Sequence, residues 1–403
     1  MWGDKRMRIA PIGDRVLDRI DRGLVTGAID ATLPGGVRCR LGGHAPGVEA
    51  AVTIVRWRAL RRLAASGSVG WYEAWAEGDW TSPDPVALFE LFMANRRSLG
   101  NAARAKGLFR LLRRARHVLR TNNRPGARRN IAAHYDLGND FYAEWLDPSL
   151  TYSSALFDEP LLPEQSLEIA QDAKLAAVLE RTATKPGDTI LEIGCGWGSF
   201  AERAARAGVG VHAITLSSEQ KTFVDCRIAA AGLEGVTVSL TDYRDVAGTF
   251  DAVASIEMVE AVGERYWPEY LNAISRVLKP GGRAAIQFIS IDDAIFDAYA
   301  GSVDFIQRYV FPGGMLLSED RFRVIAEQAG LSWHERRGFG FHYAETLRRW
   351  RVAFDAAVAE GRLPPRFDRQ FARLWRYYLM YCEGGFRGQG IDVAQVTLVK
   401  EGR

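Results

Sequence analysis

The chain of 403 residues has only four cysteines, Cys39, Cys195, Cys226 and Cys382, and no two stand in C-x-x-C spacing. That scatter argues against a disulfide framework or a thiolate metal site and fits a reducing compartment, so no metal is expected. No apolar run reaches the ~18 residues that a membrane span needs. The opening MWGDKRMRIAPIGDR lacks the apolar segment of a secretory signal, so a cytoplasmic protein is expected. Acid is missing from one stretch: between Leu91 and Asn130 there is no Asp or Glu, against twelve Lys and Arg. Residues 1–130 hold 24 Lys and Arg against 11 Asp and Glu, and the remainder holds 28 against 38. A basic N-terminal third on an acidic body implies an anionic partner, nucleic acid or a membrane surface.

Within the acid-free stretch Leu108, Leu111, Leu112, Ala115, Val118 and Leu119 recur at helical spacing, and Arg110, Arg113, Arg114, Arg116 and Arg120 fill much of the rest. This is the pattern of a basic amphipathic helix on anionic lipid; a linker helix packing its leucines on the body is the alternative. No nucleic-acid module or set of interleaved aromatics accompanies it, so no nucleic-acid partner is expected. The expected membrane-facing residues are 96–129, with a peripheral location on the inner face.

What is present centres on Thr189–Phe200, TILEIGCGWGSF. A short apolar run breaks into Gly194, Gly196 and Gly198 and leads into a helical pattern. Strand, glycine turn and helix make a nucleotide site, because the turn must hug a ligand and a helix start offers free N–H groups. A dinucleotide site wants G-x-G-x-x-G and an acid ~20 residues on. Here the spacing is G-C-G-W-G, and Glu192 stands just before the first glycine. That acid suits the amino end of S-adenosylmethionine better than a pyrophosphate.

Upstream, the spacing predicts a helix over 14–30, strands near 36–41 and 50–57, and helices over 58–66, 70–77 and 85–94. The segment from His134 to Asp158 is aromatic-rich, a candidate cap over a cation or simply packing. From 167 on, strands predicted at 189–193, 211–214, 236–240, 250–255, 282–289, 331–338 and 393–399 alternate with helices at 200–207, 218–231, 267–277, 318–329 and 344–359. Such alternation implies an α/β fold with a doubly wound, mostly parallel sheet, and ligands at the strand carboxyl ends. Thr215, Asp242, Glu257 and Gln287 fall at or near those ends. Two apolar inserts, 292–312 and 343–383, are expected to build either a hydrocarbon tunnel or a larger core.

Taken together, YDLGNDFY, TYSS, LEIGCGWGSFAERAA, ITLSSEQ, TDYRD, SIEMVEAVGERYWPEY, LKPGG, FIQRYVFPGG and YYLMYCEGGFRGQG resemble the cyclopropane-fatty-acyl-phospholipid synthase family, in order, from about residue 131 to the C-terminus. The resemblance implies a class I methyltransferase-type seven-stranded sheet with helical inserts over 116–403, and a small mixed lipid-binding domain over 1–115. It implies S-adenosylmethionine as methyl donor, a cis double bond of a phospholipid acyl chain as acceptor, and bicarbonate as base. Donor-site positions match Tyr135, Tyr152, Ser153, Gly194, Gly196, Thr215, Leu216, Gln220, Asp242 and Tyr243; Glu192 and Gly198 come from the turn itself. The bicarbonate site matches Glu260, Tyr343 and the backbone near Ile289, and the family's active-site cysteine matches Cys382. Tyr135 and Tyr343 are candidates for a cation-stabilising wall.

Three positions depart from the family pattern: Ser154 replaces a cysteine, Ala261 a histidine and Gln287 a bicarbonate-binding histidine. Gln can hydrogen-bond an anion but cannot titrate near neutrality. Cyclopropanation stands first as the product, with a methylene- or methyl-branched chain as the rival if the cation shifts a hydride. A non-catalytic lipid-binding protein on the same fold is a further rival, and a homodimer is left open.

Overall fold

The computed structural model describes residues 11–100, 137–161 and 164–402. They form two compact units, one holding 11–100, 294–310 and 367–390, the other 137–293, 311–366 and 391–402. The expected boundary at 115/116, the basic stretch from 101 on and Tyr135 lie outside the described residues. The two segments returning to the first unit come from the expected inserts of the second, the later one running past its expected end at about 383 to 390. Among the described residues no helix is long and apolar enough to cross a membrane.

The first unit opens with the helix Pro11–Gly23. Four strands follow, β1 Ala28–Thr32, β2 Arg38–Gly42, β3 Glu49–Ile54 and β4 Trp80–Thr81, in the order β2-β1-β3-β4. The sequence reading carried the helix on to residue 30. Instead the chain turns at Gly27, which has φ of +71° and where a Cβ would lie 2.2 Å from the Val48 carbonyl oxygen, so only glycine fits. Ala28–Thr32 then pairs in parallel with β3, whose burial alternates strictly. The helix Arg58–Ala76 is interrupted at Gly67, which accounts for the two helical patterns in the sequence. Its start is tied to Asp79, a fully buried carboxylate held by Arg58 at 2.7 Å and Arg56 at 3.1 Å.

The helix Pro85–Ala94 crosses the helix Arg369–Arg387 closely. A Cβ at Gly384 would lie 2.5 Å from Phe89 Cβ, so the glycine is what permits the approach. Around this crossing, the rings of Phe305, Tyr309 and Tyr377 gather on Tyr72 with centroids 4.8, 4.8 and 5.0 Å away. These insert aromatics are core packing of the first unit.

The second unit is built on seven strands: β5 Thr189–Ile193, β6 Gly210–Thr215, β7 Val236–Leu240, β8 Phe250–Ile256, β9 Leu278–Ile291, β10 Leu331–Gly338 and β11 Ile391–Lys400. Their order is β10-β11-β9-β8-β5-β6-β7, with β11 antiparallel to both neighbours and the other paired strands parallel. All seven fall where the sequence predicts, although β9 begins four residues early, running through LKPGG with a register shift against β8. Ile190, Val211, Ala252 and Ala254 of the strands pack with Phe200 and Val224 of the flanking helices in one apolar core. The strand order reverses between β5 and its neighbours β6 and β8, and the carboxyl ends there form the crevice of a doubly wound sheet.

Candidate active site

The turn after β5 has the shape its glycines require. Gly194, Gly196 and Gly198 have φ of +83°, +51° and +83°. A Cβ on Gly198 would lie 2.7 Å from Val224, whereas one on Gly196 would meet nothing within 4 Å; the middle glycine is therefore open on the side from which a ligand approaches. The amides of Gly194 and Cys195 donate to the Ile214 carbonyl, which ties the turn to the end of β6.

Two buried polar atoms here have no protein partner among the described residues. One is Oε2 of Glu192, whose residue is 4% exposed; the other is Nε2 of Gln220, 3% exposed. Thr215 Oγ1 donates to Gln220 Oε1 at 2.8 Å, which turns the amide nitrogen outward from that pair. Leu216, half-buried, lies between Thr215 and the Ser217 that caps the next helix, Ser218–Ala230. Buried polar groups require partners, and an acceptor at Glu192 and a donor at Gln220 flanking a glycine cradle fit the amino-acid and nucleoside parts of S-adenosylmethionine. Burial pushes the Glu192 carboxyl up to about 8, and Lys174 opposes that shift.

Asp242 is arranged differently from a free loop acid. Its carboxylate is gripped by Arg244 through Nε at 2.8 Å and a second nitrogen at 2.7 Å. Tyr243 lies edge-on to Tyr270 at 5.4 Å, under the same guanidinium.

The TYSS loop reaches this site from the aromatic segment. Tyr152 packs among Tyr142, Trp145 and Trp350, with centroids 5.3 to 5.6 Å apart. The helix Leu167–Thr182 holds the loop from beneath. Gln171 Nε2 donates to the carbonyls of Ser153 at 2.9 Å and Thr151 at 3.3 Å, and Lys174 Nζ donates to Ser153 Oγ at 2.5 Å. Lys174 is fully buried; sequence reasoning missed it.

The bicarbonate site is where structure and expectation part. Tyr343 OH donates to Glu257 Oε2 at 2.7 Å; Ser154 N and Gln287 Nε2 each donate to Glu257 Oε1 at 2.8 Å. The Ile289 amide donates to Glu260 Oε1 at 2.5 Å. The donors assigned to an external anion already have carboxylate acceptors in the chain. Negative charge on this buried pair would also repel a further anion. The residues present do not fit bicarbonate, and the expectation is corrected accordingly. Gln287 is itself oriented from behind: Arg181 donates to Gln395, and Gln395 donates to Gln287 Oε1 at 3.0 Å, so the Gln287 amide nitrogen must face Glu257.

Glu257 has φ of +49°, unusual for a non-glycine residue and the kind of local strain kept at functional sites. Its carboxyl is raised by burial and lowered by its three hydrogen bonds and Lys174. Glu260 is pushed up to about 8, first by burial and then by the Glu257 charge. The three donors on Glu257 favour its charged form, and that charge in turn disfavours ionisation of Glu260. Glu260 Oε2 is buried with no partner among the described residues.

The structure thus brings together Tyr152, Ser153, Ser154, Glu192, the glycine turn, Gln220, Glu260, Gln287 and Tyr343 in the second unit. Cys382 lies in the first unit, where burial followed by the Asp304 charge raises its thiol. A thiol so raised is a poor nucleophile. Glu257 is the residue that sequence reasoning noted at a strand end without assigning it a role.

Sheet order, glycine cradle and flanking polar groups define a class I S-adenosylmethionine-dependent methyltransferase. The family model for mycolic acid cyclopropane synthetase matches residues 122–396, and the chain belongs to that family. It is 38% identical over 359 residues to the tuberculostearic acid methyltransferase UfaA1 of Mycobacterium tuberculosis, covering 85% of this chain and 81% of that protein. It is 36% identical over 268 residues to the cyclopropane-fatty-acyl-phospholipid synthase of Escherichia coli K12, covering 66% of each. Among solved structures, mycolic acid cyclopropane synthase CmaA1 complexed with SAH and CTAB matches with a TM-score of 0.64 at 30% identity, over 68% of this chain and 98% of that one. The chain is an S-adenosylmethionine-dependent methyltransferase acting on fatty acyl chains.

Proposed function

We propose that the acceptor is a cis double bond in a phospholipid acyl chain, and that Glu257 serves as the base in place of bicarbonate. The observation that carries this reading is the convergence of Ser154 N, Gln287 Nε2 and Tyr343 OH on one strained carboxylate. Bound S-adenosylmethionine supplies an electrophilic methyl that the π electrons attack, leaving a carbocation in the chain. Glu257 provides the opposing charge, and the Tyr343 and Trp350 rings, 6.1 Å apart, provide aromatic faces.

The same carboxylate accepts the proton that ends the reaction. Burial raises this carboxyl above its ordinary value despite the three hydrogen bonds to its charged form, which suits it to accept a proton. A hydride moves from the methylated carbon to the adjacent cationic carbon, and the resulting tertiary cation loses a methyl proton to Glu257. The product is an open-chain methylene branch. The ring that stands first in the sequence reading forms if the proton leaves before any hydride moves. The basic stretch 96–129 brings the enzyme to an anionic membrane from the cytoplasmic side.

The test is mass spectrometry of vesicles carrying oleoyl phospholipid after incubation with isotope-labelled donor. A gain of one CH₂ with uptake of hydrogen under mild hydrogenation is expected. Unlabelled acyl chains would sink the acceptor assignment, and a product resistant to hydrogenation would establish the ring. Co-sedimentation with anionic vesicles should weaken as salt rises; salt-independent binding would remove the membrane role of 96–129.

A further inference from the structure

The helix Leu167–Thr182 turns one face into the second unit through Ala170, Gln171, Lys174, Leu175 and Val178. Two polar side chains interrupt that apolar face, and both reach the TYSS loop. A lysine with no exposure is costly, and is retained where partners offset the desolvation. Among the described residues the ammonium makes one hydrogen bond, the 2.5 Å contact with Ser153 Oγ. Its charge is stabilised by carboxylates from three different segments: Glu257 after β8, Asp147 before the loop and Glu192 on β5. Ser153 stands on the donor side of the site, and its neighbour Ser154 donates its amide to Glu257. One ammonium thus sits where the donor cradle and the base meet.

We propose that Lys174 is a positioning residue for methyl transfer: it pins the TYSS loop through Ser153 and supplies a positive charge that partly offsets the burial of the Glu192 and Glu257 carboxyls. The inference rests on Ser153 and Glu192 as donor contacts and is independent of the acceptor and product assignments. Removing the ammonium leaves both acids buried with less compensating charge, so each holds its proton to higher pH. Donor binding then acquires a stronger pH dependence. A lysine acting only as a packing or anchoring group leaves that dependence where it was.

The experiment is calorimetric titration of the full chain with S-adenosylhomocysteine between about pH 6 and pH 9, with no acyl substrate present. In K174M the midpoint of the pH dependence should move up by at least about one unit, weakening binding roughly tenfold on its acid side. S153A should lower affinity by a similar factor at every pH without moving the midpoint. In an E192Q background, adding K174M should produce no further shift. K174Q, which keeps a hydrogen-bond donor toward Ser153 but no charge, should shift as K174M does, and it provides the test if K174M does not fold by circular dichroism. A K174M or K174Q profile that overlays the parent, or an equal shift with and without Glu192, would overturn the proposal. If phospholipid labelling fails while these shifts appear, the acceptor assignment falls and the role of Lys174 stands.

Discussion

Replacing Glu257 with Gln tests the assignment of the base most directly. The substitution keeps the side-chain shape but removes the charge and the proton acceptor. In the parent, three donors at 2.7, 2.8 and 2.8 Å share the two carboxylate oxygens. An amide offers one acceptor oxygen, so the donor facing the new NH₂ loses its partner. A lost bond to a charged group is worth about 1.5–3 kcal/mol, while relief from burying a charge offsets much of that, so folding stability should change by less than about 2 kcal/mol. Catalysis should suffer far more. A positioned base contributes roughly 10²- to 10⁴-fold, about 3–5 kcal/mol of barrier. Turnover on oleoyl vesicles should therefore fall by at least about a hundredfold, with S-adenosylhomocysteine affinity changed by no more than a few-fold. Glu260→Gln is the control: Glu260, raised to about 8, is largely protonated at pH 7, and Gln mimics that form. Its loss at pH 7 should stay within about tenfold. Equal losses in the two variants, or an E257Q enzyme with full turnover, would refute the reasoning.

The parent should work at the same rate in CO₂-stripped buffer and in buffer supplemented with bicarbonate; a rate that rises with bicarbonate would restore the external base. The raised carboxyls of Glu192 and Glu260, about 8 against 4.5 when unfolded, bind protons more tightly in the folded state. Stability should therefore fall as pH rises from about 5 to 8, by roughly 2–4 kcal/mol given their coupling to neighbouring charges, and urea denaturation should show a flatter profile for E260Q. Gly198→Ala should cost more than Gly187→Ala: both have positive φ, but only at 198 does the new methyl meet a side chain, Val224 at 2.7 Å. About 1 kcal/mol at 187 and 2–3 at 198 are expected from thermal melts. Asp79→Asn should lower the melting of the first unit by about 1–3 kcal/mol, a figure discounted because its arginine partners are partly exposed.

The alternation of β-branched runs with helical patterns made the seven-stranded sheet legible, because buried parallel strands flanked by glycine turns leave few other readings. The donor cradle was legible for the same reason: three glycines after a strand state their geometry in the sequence. The base was not. Glu257 owes its role to a left-handed backbone, to Gln287 thirty positions on and to Tyr343 eighty-six positions on, and none of these is visible in SIEMVEAVG. Lys174 on a helix reads as a solvated charge until its face is known to point inward. Ala28–Thr32 was absorbed into the preceding helix because its pairing partner, β3, lies about twenty residues later. The inserts kept two meanings because the rings that claim Phe305 and Tyr377 come from Tyr72 and Phe89, more than two hundred residues earlier.

That last arrangement bears on how the protein is made. Tyr72 and Phe89 emerge from the ribosome long before the rings that cover them, since Phe305 and Tyr377 are translated near the other end. The N-terminal stretch must wait, greasy and half-assembled, through most of synthesis, which makes it a natural client for chaperones.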